Sequence, residues 1–239
     1  MQALTGMLQN IGIFLAFLAA RFAVLVVILA ALAVVFLIGL AVVRMAGRVR
    51  HHALGLSKVS GLLWRSGVYY APGHAWLQWK GTGRLRVGLD DLAQHLLARV
   101  SEVTLPAVGQ VLRVGEAAAR VRCGRRMAVI PAPVSGQVVA INRRLLRNPT
   151  LLHNDPYARG WLYAVAPADA GHSRLPYGEP SRAWFSGEAV RFSQFIEHQL
   201  GLAAADGGEL VAPGPSLLSE EQWDEMNRSF LGSPGGARV

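Results

Sequence analysis

The chain has 239 residues, 52% of them apolar, and a formal charge of +9, enough for one folded domain with additional segments. Its one cysteine, Cys123, excludes an internal disulfide and argues against a cysteine zinc site. The basic excess is almost all arginine, because Lys58 and Lys80 are the only lysines; it suits an acidic protein, an anionic lipid or a nucleic acid, but no nucleic-acid motif accompanies it.

Residues 1–21 form an N-terminal segment with no Lys or Arg among the first 20. Residues 22–43 read FAVLVVILAALAVVFLIGLAVV, without a charge. At about 1.5 Å per residue this run crosses a bilayer core of roughly 30 Å as an α-helix. The basic start of a cleaved signal peptide is missing and the apolar run is too long for one, so a retained transmembrane helix is expected. Arg44, Arg48, Arg50, His51 and His52 follow it, and only Arg21 precedes it. That asymmetry predicts a single pass through the cytoplasmic (inner) membrane, with the C-terminal part in the cytoplasm. Ile11 to Ala20 is also apolar and either extends the helix, lies at the interface or forms a short second segment.

Residues 44–66 read as a juxtamembrane basic connector, in which Leu62, Leu63 and Trp64 are candidates for the membrane surface. Short strands begin after Val68. Trp76–Trp79 and Arg84–Leu89 flank Gly81, Thr82 and Gly83, a hairpin signal. Asp90 or Asp91 is placed to cap a short helix through Leu97. Strands are predicted at Gln137–Ile141 and Trp161–Val165, and Asn142 is placed to cap a turn carrying Leu145 and Leu146. Frequent Gly and Pro between short strands predicts a small sandwich or barrel. Residues 168–186 are polar and rich in Pro and Gly, and residues 187–200 fit a helix with Phe192, Phe195, Ile196 and Leu200 on one face. After a Gly-rich connector, DGGEL, a last helix starts at Ser219, with Gln222 placed to complete a capping box and Leu218 and Trp223 a staple. Trp223, Met226 and Phe230 make its apolar stripe, and the final SPGGARV is expected to fray.

Four stretches, in order, carry a resemblance. They are YAPGHAW (Tyr70–Trp76), VGLDDLAQ (Val87–Gln94), PAPVSGQVVAIN (Pro131–Asn142) and NPTLLHNDPYARGWL (Asn148–Leu162). Together they resemble the glycine cleavage H-protein family over residues 69–169. The resemblance implies a mainly β domain at 67–169, the barrel-sandwich hybrid shared with lipoyl domains, with short helices. The transmembrane helix would precede it and a helical C-terminal extension, 170–239, would follow. It also implies a hairpin whose tip displays a lysine, in E-S-V-K-A, that carries lipoate.

Counting back from Pro133 puts that lysine's place at Arg125, within R-C-G-R-R, Arg122–Arg126. A guanidinium stays protonated and cannot act as the amine nucleophile that lipoate attachment needs. The neighbouring acidic position is Arg122. The expectation is therefore a non-catalytic binding or scaffold subunit with no cofactor and no metal. The alternative is a true carrier in one-carbon or sulfur metabolism with an unconventional attachment, for which Cys123, placed beside arginines that favour thiolate, is the candidate thiol. Arg120, Arg122, Cys123, Arg125 and Arg126 are the candidate residues for docking a protein partner. The rival for these arginines is a solvated turn. No Walker loop, G-x-S-x-G or H-E-x-x-H occurs. His74 reads as structural, and Asp155 as a turn or cap residue in D-P-Y.

Overall fold

The computed structural model describes residues 2–81, 83–97, 99–200 and 217–232. The DGGEL connector and the terminal SPGGARV lie outside the described residues. The chain divides into two compact units, Met1–His52 and Ala53–Val239.

The first unit is helical. Helix α1, Gln2–Ala53, runs for 52 residues, so Ile11–Ala20 belongs to the same helix as the longer apolar run. Within it, Arg21–Ala46 is long and apolar enough to cross a membrane by length and composition. Phe22, Val27, Leu32 and Val43 are all more than half exposed. A helix that is apolar on every side needs an apolar surrounding.

The second unit opens with strands β1 (Leu56–Val59) and β2 (Leu62–Arg65), which pair as a hairpin. Strands β3 (Tyr69–Ala71), β4 (Ala75–Trp79) and β5 (Leu85–Leu89) lead into helix α2 (Asp91–Leu97). Next come β6 (Glu102–Thr104), β7 (Val111–Leu112), β8 (Ala117–Cys123), β9 (Arg126–Pro131) and β10 (Gly136–Ile141). Two short helices, α3 (Arg143–Arg147) and α4 (Leu151–Asn154), precede β11 (Trp161–Pro167). Helices α5 (Glu179–Leu200) and α6 (Glu220–Met226) follow. One sheet has the order β3-β4-β5-β11-β10-β7, and a second the order β6-β8-β9. The strand pairs are antiparallel, as expected of short strands joined by tight turns. The unit is therefore mainly β with short helices and a helical C-terminal part, as the sequence pattern predicts.

Two of the sequence motifs meet in the core. Trp76 is fully buried and lies flat on Gly88, where an added Cβ would come within 2.4 Å of the indole. Its ring N–H donates to the Leu89 carbonyl at 3.0 Å. The H-A-W and V-G-L-D-D runs are thus two sides of one contact. Asn142 caps α3 as expected, its side chain accepting from the Arg144 N–H, and its amide also donates to the carbonyls of Arg159 and Trp161 at 2.7 Å each.

The structure departs from the sequence reading at Leu62–Trp64 and at the start of α5. Leu62 and Trp64, expected at a membrane surface, are buried at 1% and 5% exposure. Helix α5 supplies their partner, since the Trp64 ring N–H donates to Ser181 at 3.3 Å. The main chain of Leu63 is tied down on both sides, by the Asp91 carboxylate and the Tyr157 hydroxyl, at 2.8 Å each. Helix α5 itself begins at Glu179 rather than 187. Pro180 stands in its first turn, where a missing N–H costs nothing, and the buried stripe Ser181, Phe185, Ala189, Phe192 extends through the stretch read as loop. The predicted capping box at Ser219 and Gln222 is present, with Leu218 and Trp223 both buried beside it.

Candidate functional site

The β8–β9 hairpin closes with Cys123 opposite Arg126, which leaves Gly124 and Arg125 as a two-residue turn. Gly124 has φ +65, the conformation that the first position of a II′ turn requires and that glycine adopts without strain. Arg125 is exposed at the tip. Strand alternation sorts the rest. Val121 and Ala128 face each other on the buried side, while Arg120 and Arg122 point outward. Arg122 Nε donates to Glu102 of β6 at 2.9 Å, with the Arg122 side chain 42% and that of Glu102 61% exposed.

Arg126 differs from the other arginines. It shares a face with Cys123 and turns towards the C-terminal segment. Its Nε pairs with Glu220 at 3.2 Å, an Nη donates to the Leu218 carbonyl, and its guanidinium lies 5.1 Å from the Trp223 ring centroid. Of the five candidate docking residues it is therefore the one tied to the C-terminal segment, because α6 covers the hairpin's inward face.

Cys123 also departs from expectation. Burial pushes its thiol up to about 12, and Arg126 pulls it back only in part. The sequence proximity of arginines pointed to a thiolate, but desolvation outweighs them. The β8–β9 hairpin holds no lysine: Lys58 lies on β1 and Lys80 just after β4. Among the described residues no group of three or more His, Cys, Asp or Glu side chains is placed to hold a metal ion.

A second charged constellation lies at the β3–β4 turn and was missed by sequence reasoning. His74, 1% exposed, sits at φ 56, unusual for a residue with a side chain. Its Nδ1 meets Asp90 Oδ2 at 3.0 Å and its Nε2 meets Glu188 Oε2 at 3.4 Å. Trp184 and Phe230 flank the ring, with centroids at 5.4 and 6.3 Å. Burial opposes a charged imidazole, but the charge and hydrogen bond of Asp90, then those of Glu188, outweigh it and raise His74 to about 9. Glu188 is likewise desolvated, yet its bonds to His74 and Arg191 hold it below the usual carboxylate range. Arg191 also donates to the Ser229 carbonyl at 3.2 Å and lies 4.1 Å from the Phe230 ring centroid. His74 thus fastens α5 and the residues after α6 to the β core. Asp90 does two tasks, since its other oxygen accepts the Ala93 N–H at the start of α2. Only the cap was legible in sequence; Glu188 stands too far along the chain for any local pattern to pair it with His74.

Asp155 takes the turn role expected of it. It ends α4 and holds Arg159 at 2.8 Å.

Comparison with known proteins gives a consistent match. The family model described as Glycine cleavage H-protein matches residues 68–175. The glycine cleavage system H protein of Coprothermobacter proteolyticus is 35% identical over 103 residues, 43% of this chain and 81% of that protein. That of Thermus thermophilus is 40% identical over 103 residues, 43% of this chain and 80% of that protein. A crystal structure of a glycine cleavage system H protein from Mycobacterium marinum aligns with a TM-score of 0.46 at 30% identity, over 52% of this chain and 99% of that one.

Proposed function

Because the chain belongs to the glycine cleavage H-protein family, we propose that it is a membrane-anchored member that carries no lipoate and serves as a docking or scaffold subunit. The observation that carries this reading is the hairpin tip. Arg125 occupies the turn at which the family's resemblance places the lipoyl lysine, with Arg122 beside it in place of an acid. Lipoate does not fit this tip. A protonated guanidinium has no lone pair to attack an acyl group, and the nearby thiol is held neutral by burial. What remains is a two-residue turn that presents exposed positive charge. Such a projection supplies orientation and electrostatic complementarity to an acidic protein partner rather than group transfer.

Anchoring rests on residues 22–43 within α1. The run Arg44, Arg48, Arg50 on its C-terminal side, against Arg21 alone before it, supports an inner-membrane, single-pass arrangement with the C-terminal unit in the cytoplasm.

The experiment is intact mass measurement on protein extracted from its native membrane after a high-salt and carbonate wash. The expected result is a pellet-associated chain with the unmodified polypeptide mass. A lipoyl or other acyl adduct overturns the cofactor-free reading, and release into the supernatant overturns the anchor.

A further inference from the structure

The hairpin is not the only place where arginines stand exposed without a carboxylate. Helix α3 reads R-R-L-L-R, and Asn142 caps it so that Leu145 is driven fully into the core. The consequence is that Arg143, Arg144 and Arg147 all face solvent, and Leu146 is left 49% exposed among them. Among the described residues none of these three arginines makes an ion pair, nor do Arg120 and Arg125 of the hairpin.

These two groups are neighbours through one strand. Helix α3 packs on β6, and β6 pairs with β8 with Glu102 opposite Arg122 and Thr104 opposite Arg120. Beside that pairing, where β6 leaves β8, a surface cleft of about 120 Å³ is lined by Thr104, Leu105, Gln110, Ala118 and Arg120. Glu102, the carboxylate that this surface pairs with an arginine, already grips Arg122 at 2.9 Å. It shows the geometry in which the face takes a carboxylate.

We propose that α3 and the outward side of the β8–β9 hairpin form one docking surface for an acidic polypeptide, with a partner side chain seated in the cleft beside Arg120. The inference rests on the docking reading above and extends it to a helix that this reading does not include. Two features favour a polypeptide. The arginines are spread over two elements instead of converging on one point, as a single anion site would need. An apolar residue, Leu146, stands within the charge, the mixture of arginine and apolar contact typical of protein interfaces.

The test uses the full chain in detergent micelles and fluorescent poly-L-glutamate as the probe, with binding read by anisotropy at fixed ionic strength. Three charge reversals are compared: R120E/R122E/R125E on the hairpin, R143E/R144E/R147E on α3, and K58E/R84E/R174E at exposed sites elsewhere. All change the net charge by the same amount, which removes the general attraction of a basic protein for a polyanion. The expected result is a loss of affinity of at least about tenfold for each of the first two variants and a much smaller loss for the third. Equal losses in all three overturn the localised surface. Loss in the hairpin variant alone overturns the extension to α3 while leaving hairpin docking intact. Inorganic polyphosphate serves as competitor. If, at equal charge, it displaces poly-L-glutamate and depends on the same arginines more steeply, the surface is one for phosphate polyanions and the polypeptide assignment fails.

Discussion

The β3–β4 turn and the tip of the β8–β9 hairpin both concentrate charge, but they treat it in opposite ways. At His74 each charge is matched: Asp90 on one ring nitrogen, Glu188 on the other, and Arg191 completing Glu188. Desolvation there makes an unmatched charge very costly, so the network is closed on itself. At the hairpin Arg120 and Arg125 stand in water with no ion-pair partner among the described residues. Solvated charge costs little to leave open and is available to another molecule. Arg126 sits between the two regimes, on the same hairpin but drawn to Glu220 and Trp223. Charge density in the sequence therefore does not separate structural from available charge; burial and pairing do.

The comparison breaks first if His74 is dispensable. His74→Ala strips the buried Asp90 carboxylate of its charged partner and leaves half-buried Glu188 with Arg191 alone, and is expected to cost about 3–5 kcal/mol by chemical denaturation. A variant as stable as the parent would mean that the network holds nothing. Trp223→Ala removes a side chain that is 3% exposed and a ring beneath Arg126, with an expected loss of about 3 kcal/mol. An unchanged midpoint would place α6 off the hairpin.

The same contrast has a pH signature. His74 is raised from 6.5 to about 9 on folding. A raised cationic group stabilises fully below its unfolded value and loses that contribution as pH rises through the folded one. Stability should therefore fall between about pH 6.5 and 9, by at most roughly 3 kcal/mol. His74→Gln should flatten that window. If parent and variant show the same slope there, the imidazole is not charged in the folded protein. Glu188 works in the other direction. Held below its ordinary value of 4.5, it contributes above that value and loses its contribution as pH falls.

Much of the fold was legible because its determinants are local. Asn142 capping α3, the Ser219–Gln222 box and the strands around Trp76 and Trp161 are all set within a few residues. The start of α5 was not, because Pro180 reads as a breaker until its place in the first turn is known. Leu62 and Trp64 were misplaced because an apolar run that follows a helix long and apolar enough to cross a membrane has two sinks, lipid or a helix that arrives more than a hundred residues later. At the candidate site the sequence identified the arginines of the hairpin but not their inequality. Which side of β8–β9 a residue occupies follows from register, and register depends on where the Gly124–Arg125 turn closes. The exposed arginines of α3 were readable as letters, yet their proximity to β8 exists only through β6.

The smallest expected effects discriminate most sharply. Arg126→Ala gives up an ion pair, a carbonyl hydrogen bond and a ring contact, and should cost about 1–2 kcal/mol. The outward triple reversal R120E/R122E/R125E gives up one exposed pair, Arg122–Glu102, and should shift the thermal midpoint by no more than about 2 °C. The change at Arg122 even sets a second carboxylate opposite Glu102 in register, a repulsion that water and salt largely screen at the surface. Differential scanning calorimetry on the two variants side by side reads the difference. If the outward triple destabilises as much as Arg126→Ala, the outward arginines are part of the fold and are not held in reserve for a partner.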